Sequence, residues 1–386
     1  MFSKKLQFDF TWFIKDQNNQ LGGIPLVQGT GFTSMTTNVG DVRSEGFEWG
    51  LTLNPVRTKD WYWDISASFT TYKAHIRRLS PKFAPKGYIF ASYDGKTVVK
   101  IAEGEEIGNI YEQNPILRVK TGKYAGLPLL DGDAGEFQNS PDESDRAKLG
   151  NYNPKYILGL NSTLRFKGFS LNLVGSLRKG GKYISVNQQY MESNGRAFTT
   201  LSSGPDNPWW KGGRNAALGG MPWPAAGSSI YENINNNNDG QRSDFNDASY
   251  AKGVFLNPDY TGDPAEATDA DYIVNGADPN NTFYQFPYNS YGDVIWNLTS
   301  TRVYDATNFK LREISLDYTI PNSVVSKLGV NNVNISLIGR NIFQWNASGR
   351  NEDPESAFSG VGVNQGILRA TLPSIRSMGL KLAFDF

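Results

Sequence analysis

The chain has 386 residues, with 38 basic and 38 acidic side chains cancelling to a formal charge of zero, a single histidine (His75) and no cysteine. Neutral charge and a pI near 6.6 remove the basic footprint of a nucleic-acid binder, and the absent Cys and lone His exclude a Cys-rich or multi-His metal site and any thiol nucleophile. A mean hydropathy of −0.46 sits beside 13% aromatic residues, so the apolar groups must be concentrated in a pattern.

The pattern is alternation, the period of a strand with one apolar and one polar face. Leu6, Phe8, Phe10, Trp12 and Ile14 share one parity, with Gln7, Asp9, Thr11 and Lys15 on the other. Phe47, Trp49, Leu51 and Leu53 follow, then Trp61, Trp63, Ile65, Ala67 and Phe69. Leu158, Leu160, Leu164 and Phe166 precede Phe169, Leu171, Leu173 and Leu177. Ile314, Leu316 and Tyr318 lead to Val333, Ile335 and Leu337, and the chain ends on Met378, Leu380, Leu382, Phe384 and Phe386. The spacing predicts eight strands, at 2–15, 42–54, 60–77, 154–166, 169–185, 307–319, 332–344 and 374–386. No stretch has a long helical period or approaches the ~18 apolar residues of a membrane helix. The fold class expected is all-β.

The connections sort by length. Those at 55–59, 167–168 and 320–331 are short, whereas 17–41, 78–153, 186–306 and 345–373 are long. In an up-and-down meander alternate connections share an end, so one end carries tight turns and the other large loops. That asymmetry is expected of a transmembrane antiparallel β-barrel of the outer membrane. Trp12, Trp61 and Trp63 fall near strand ends, where an interfacial aromatic girdle sits. The competing reading is a large soluble β protein whose apolar face is a buried core. The polar parity suits a wet lumen or a plug, as in barrels of about 22 strands, of which eight strands are an arc. Met1–Lys5 leads straight into alternation broken by Gln7, Asp9 and Thr11, unlike the apolar run of a signal peptide. The last strand, with Phe384 and the terminal Phe386, is similar to the assembly signal of outer-membrane barrels. The expectation is a C-terminal barrel portion over 1–386, lacking plug and earlier strands, with a raw edge at 2–15.

Five motifs then carry a resemblance. Asn38-Val39-Gly40-Asp41-Val42-Arg43-Ser44-Glu45-Gly46-Phe47-Glu48 resembles the N-x-G-x-x-x-N-x-G-x-E signature of the SusC/RagA family of TonB-dependent outer-membrane transporters, with Ser44 where Asn is common. Leu149-Gly150-Asn151-Tyr152-Asn153-Pro154-Lys155-Tyr156 with Gly159, the run from Asp305 to Pro321, Gly339-Arg340-Asn341-Ile342-Phe343-Gln344-Trp345 with Asp353-Pro354-Glu355, and Leu372-Pro373-Ser374-Ile375-Arg376 follow in family order. The resemblance implies TonB-dependent nutrient uptake of an oligosaccharide or peptide. It also implies a SusD-like surface lipoprotein as lid, TonB acting through an N-terminal part, the barrel assembly machinery and outer-membrane lipid as partners, and no cofactor. The motifs read as structural: Gly40 and Gly46 free the backbone where a strand begins, Pro321 ends a strand, and Arg340 and Asn341 pair locally.

Other features are weighed against this frame. Asn235, Asn237, Asp239 and Gly240 fit the first half of a calcium loop, but its twelfth position is Asn246, so a solvated Asn-rich loop is the reading. Trp209, Trp210 and Trp223 place large rings on a long loop, suited to stacking on sugars or peptide side chains. His75, beside Arg77 and Arg78, reads as a rim residue. The sequons at Asn161, Asn297, Asn334 and Asn346 read as fortuitous. No catalytic triad, P-loop or assignable carboxylate pair is present. The alternatives left open are a passive porin or surface adhesion barrel, and a soluble glycan-binding β protein.

Overall fold

The computed structural model describes residues 5–26, 28–80, 88–93, 96–132, 137–140, 145–193, 210–212, 249–251, 253–262, 264–275, 277, 284–285, 299–325, 329–358, 365–372 and 374–385. Eight long strands form one sheet: β1 Leu6–Pro25, β2 Ser34–Arg57, β3 Trp61–Leu79, β4 Tyr156–Phe166, β5 Phe169–Lys179, β6 Asn308–Thr319, β7 Asn332–Asn346 and β8 Ser377–Asp385. Each pairs antiparallel with the next in chain order, and β1 and β8 are its two edges. No described helix is long and apolar enough to cross a membrane.

Register converts the alternation of single strands into continuous rows. Phe8, Leu51, Ala67, Leu160, Gly175, Leu311 and Phe343 lie side by side across seven strands, and so do Phe10, Trp49, Phe69, Leu158, Leu177, Phe309 and Trp345. Near the tight turns a third row runs Trp61, Phe166, Phe169, Tyr318, Ile335 and Leu382. This face stays open: Phe8 is 60% exposed, Leu337 57% and Phe343 51%. The opposite face carries Asp9, Gly50, Ser68, Gly159, Ser176, Lys310 and Gln344 in one row.

Aromatic rings concentrate at both margins of the apolar belt. At the turn margin Trp61 meets Phe166 at 4.1 Å and Phe169 meets Tyr318 at 4.4 Å. At the loop margin Phe47 and Trp49 both stack on Phe69, at 5.6 and 5.5 Å, and Tyr156 closes on it at 5.2 Å. From the Trp61 row to the Trp12–Phe47 row is ten residues along β3, ~33 Å of strand at its usual rise, or ~25 Å along the normal at a tilt near 40°, the height of an outer-membrane apolar band.

Two expected boundaries are corrected. Residues 17–41 are not a loop: β1 runs on to Pro25 and β2 starts at Ser34, leaving a connection of 26–33. Beyond Ile14 this hairpin is mostly polar, with only scattered apolar residues such as Leu21, Val39 and Val42, so the alternation that marks a half-buried strand disappears although the ladder continues. Residues 169–185 are not one strand either. Gly180 and Gly181, at φ +77° and +86°, end β5, and Lys182–Ser185 turns away to pair antiparallel with Val303–Asp305 and parallel with Ile367–Leu368. The last strand begins at Ser377, and Phe386 lies outside the described residues.

Gly40 and Gly46 also act differently from expectation. Neither has a positive φ; instead a Cβ on Gly40 would strike the Arg78 carbonyl oxygen, and one on Gly46 the Thr71 carbonyl oxygen, with Tyr72 and a Phe13 ring carbon close behind. The glycines permit close approach of β3 to β2. A Gly46→Val variant is expected to lose most of its correctly assembled protein, since forced overpacking costs about 1–3 kcal/mol or more. Gly50→Ala, whose nearest neighbours lie 3.9 Å or more away, is the matched control, and the membrane-assembled fraction of each is the measurement.

Candidate functional site

The chemistry-bearing groups gather on the polar face and in the cap above its loop end. The cap is a packed body: Val99, Ile110, Tyr152 and Ile184 form one buried cluster, joined by Leu149, Val303, Phe358 and Ile367. Tyr183, Ala306, Ala357 and Leu368 form a second. Residues from all three long connections therefore share a core. Its sheet of Tyr88–Tyr93, Thr97–Ile101, Asn109–Glu112 and Lys148–Asn151 is latched to Thr299–Ser300 by a Thr97–Thr299 hydroxyl contact of 2.7 Å and by Ser300 N–H donating to Glu112 at 2.9 Å. Burial pushes the Glu112 carboxyl above its ordinary pKa, opposed by that Ser300 bond.

Three of the family-like motifs meet where cap and wall join. Lys310 on β6 is 6% exposed and donates to Asp353 at 2.6 Å and Glu355 at 2.8 Å. Arg312 donates to Glu355 at 2.7 Å and to Ser176 at 2.8 Å. Arg312 has no register partner on β5, because the ladder passes from Leu311–Gly175 to Glu313–Val174. This bulge re-aims the side chain towards the cap. Across from it, Asn341 and Ile342 occupy the space opposite one residue, with Asn341 at φ +52°. That left-handed conformation suits Asn or Gly and disfavours branched residues, which explains the Asn within Gly339–Trp345. Asn341→Gly is expected to be tolerated, while Asn341→Val costs about 1–3 kcal/mol, read as a lower unfolding midpoint. Arg340 pairs with Glu313 at 2.9 Å and Asn341 donates to the Ile375 carbonyl at 3.3 Å, the local pairing expected.

Arg178 makes a second joint. Its guanidinium lies 3.7 Å from the Phe358 ring centroid and donates to the Tyr152 carbonyl at 3.1 Å. Towards the turn end the polar face holds a ladder in which Thr163 donates to Asn172 at 2.9 Å, and Asn172 donates to Ser315 at 3.1 Å and Asp317 at 2.8 Å. This ladder borders an open cleft of about 560 Å³ whose wall includes Tyr62, Arg165, Lys167 and Asn334. The surface is polar and hydrogen-bonding.

Of the residues singled out earlier, Trp12 (65% exposed) lies on the apolar face at the loop margin. Trp61 and Trp63 lie on the same face at the turn margin, where the Trp63 indole N–H donates to Ser162 at 3.1 Å. Phe384 is exposed on β8 opposite Val333. His75 faces Arg43 in the β2–β3 ladder and bridges Glu106, so cap backbone lies against it. Trp209 and Trp223, the Asn235–Asn246 segment and Asn297 fall outside the described residues; Trp210 begins a short strand, Trp210–Gly212. Asn161, Asn334 and Asn346 sit in strands. The buried clasp at Lys310 escaped the sequence reading; its signal was a lysine at a polar-face strand position followed, past one turn, by Asp-Pro-Glu.

No protein-family model matches the chain. Two curated relatives align with 100% of it: TonB-dependent receptor P3 of Formosa agariphila, 22% identical over 410 residues, and TonB-dependent receptor P26 of the same organism, 21% identical over 408. The chain spans 33% of the length of each. Among solved structures it is similar to the RagAB peptide transporter, at 16% identity and a TM-score of 0.57 over 99% of this chain and 33% of that one. The RagAB importer in its open-open state gives 16% identity and 0.58 over 100% and 33%. The resemblance read from the motifs is thus matched by relatives along the whole chain and by fold.

Proposed function

We infer that this chain, a SusC/RagA-type TonB-dependent transporter sequence, forms part of the wall of an outer-membrane barrel that imports nutrients. The apolar belt would face lipid and the polar face the lumen, with β1 and β8 continuing into the rest of a wall of about 22 strands. The observation that carries this reading is the pair of opposed faces. An unbroken apolar belt with aromatic margins backs onto an unbroken hydrogen-bonding surface, in a sheet whose edges are open. A soluble sheet would bury that belt under a second layer, and among the described residues the cap packs at one end of the sheet, leaving the belt uncovered.

In this reading the cap is the rim beneath a SusD-like surface lipoprotein, and TonB acts through a plug to open a path along the polar face. The cargo is an oligosaccharide or a peptide, with Trp209, Trp210 and Trp223 as contact rings. Trp12, Trp61 and Trp63 are the girdle residues, and Phe384 and Phe386 the assembly signal. This chain has no cysteine of its own, so an introduced thiol is the one label site within it. In membranes, a Leu160→Cys variant is expected to react with a lipid-confined maleimide and resist an impermeant one, and Asn161→Cys, on the opposite face, to show the reverse. Rapid labelling of both by the impermeant reagent would overturn the reading. Co-purification of a surface lipoprotein with the intact protein tests the lid.

A further inference from the structure

Beyond the aromatic margin at the loop end, the face that carries the belt becomes charged. Ile14, Glu45 and Lys73 form the next row above Trp12–Phe47, and Asp16, Arg43 and His75 the one above that. Arg43 holds Asp16 through two hydrogen bonds of 2.7 and 2.8 Å, and Arg77 reaches the same carboxylate at 3.5 Å. Two strands away, Lys179 lies opposite Tyr156, whose ring stacks on Phe69 of the belt, so Lys179 shares this face. Asp305 of the cap lies near enough to Lys179 to feel its charge. Four cations, Arg43, Arg77, Lys73 and Lys179, thus stand against the carboxylates of Asp16, Glu45 and the neighbouring Asp305, and Asp16 is already shared between two arginines. Lys73 and Lys179 are exposed and make no salt bridge among the described residues. Strands lie ~4.8 Å apart and rise ~3.3 Å per residue, so the set from Arg43 on β2 to Lys179 on β5 spans about 15 Å across the strands and about 13 Å along them, the width of a few lipid headgroups.

We propose that this collar binds the phosphate groups of anionic membrane lipids at the outer rim of the wall. The proposal rests on the lipid-facing reading of the belt and adds a headgroup preference to it. The occupant follows from position and charge. The collar continues the aromatic margin directly, at the level where acyl chains end and headgroups begin, and its surplus is cationic at that level. Arg43 and Arg77 are fixed by Asp16, which presents guanidinium N–H groups in a set geometry suited to phosphate oxygens. Lys73 and Lys179 act as mobile point charges on either side of Tyr156.

The test uses the intact protein in nanodiscs of phosphatidylcholine containing a minority of phosphatidylglycerol. Electron spin resonance reads the protein-immobilised fraction of spin-labelled lipid of each kind. The wild type is expected to immobilise the anionic lipid in excess over phosphatidylcholine, and the Lys73→Gln/Lys179→Gln variant to lose that excess by roughly fivefold or more at low ionic strength. Equal immobilisation of both lipids by the wild type, or an excess unchanged in the variant, overturns the collar while leaving the wall reading intact. Failure to immobilise either lipid overturns the wall reading itself. A Lys381→Gln variant, on the opposite face in register with Ser336, should keep the full excess; its loss there would show a long-range charge effect and also overturn the site.

Discussion

Replacing Lys310 with methionine is expected to destabilise the junction of cap and wall by about 3–5 kcal/mol, because it strands buried carboxylates without their cation. Asp353 is 8% exposed and Glu355 26%, and Arg312 compensates only Glu355. The loss should show as a lower first unfolding midpoint and faster proteolysis within 345–373, with the wall still resistant. Adding Asp353→Asn to Lys310→Met should recover much of the loss, since removing both charges avoids the orphaned ion. The same clasp sets a pH response. Burial pushes the Glu355 carboxyl upwards, but Lys310 and Arg312 outweigh it and hold the group below its ordinary value. A depressed carboxylate contributes stability above its unfolded pKa that is lost as pH falls through the folded one. Glu112 has the opposite sign: raised by burial, it contributes stability that declines as pH rises from the unfolded value through the folded one. The midpoint of the Glu112→Gln variant should therefore fall less than the wild type's across that interval.

A Leu160→Arg substitution tests the wall in a way no soluble sheet would mimic. Leu160 is 45% exposed and lies in the row midway between the two aromatic margins, next to Ala67 and Gly175. In water such a change is neutral or aids solubility. In an apolar band the same charge costs about 2–4 kcal/mol near the midplane. The expected result is reduced folding into bilayers by that amount, measured as the shift in denaturant midpoint for insertion into vesicles. Asn161→Arg, one residue on and facing the polar side, should shift it little.

Where a strand had one polar and one apolar face, its residues announced it. The stretches Phe47–Leu53, Trp61–Phe69 and Leu158–Phe166 are in the structure close to where alternation placed them, and the Lys167-Gly168 turn is the two-residue hairpin expected, with Phe166 opposite Phe169. Legibility failed where both faces are polar. Gln17–Pro25 and Ser34–Asp41 continue the ladder through two register shifts around Gln20, yet nothing in their hydropathy distinguishes them from loop. It failed again at Gly180-Gly181, where Tyr183 continues the parity of the strand but, with Ile184, belongs to the cap core. The site was least visible, because Lys310 and Arg312 lie 45 and 43 residues before Glu355 in sequence. The bulge at Arg312 that brings them together leaves no compositional trace.

The contrast between wall and cap gives assembly a direction in time. Each wall strand bonds to its neighbour in chain order, and four of these pairs, β1–β2, β2–β3, β4–β5 and β6–β7, are joined by short connections, so those hairpins can form first at low closure cost. The cap instead joins Thr97 to Thr299, 202 residues on, and Tyr183 to Ser348, 165 residues on. Those closures become cheap only when the intervening strands already stand in register. Closure of the cap is therefore a late event that reports completion of the wall beneath it. A molecule stalled part-way exposes long unpacked segments to proteolysis, and the finished one does not.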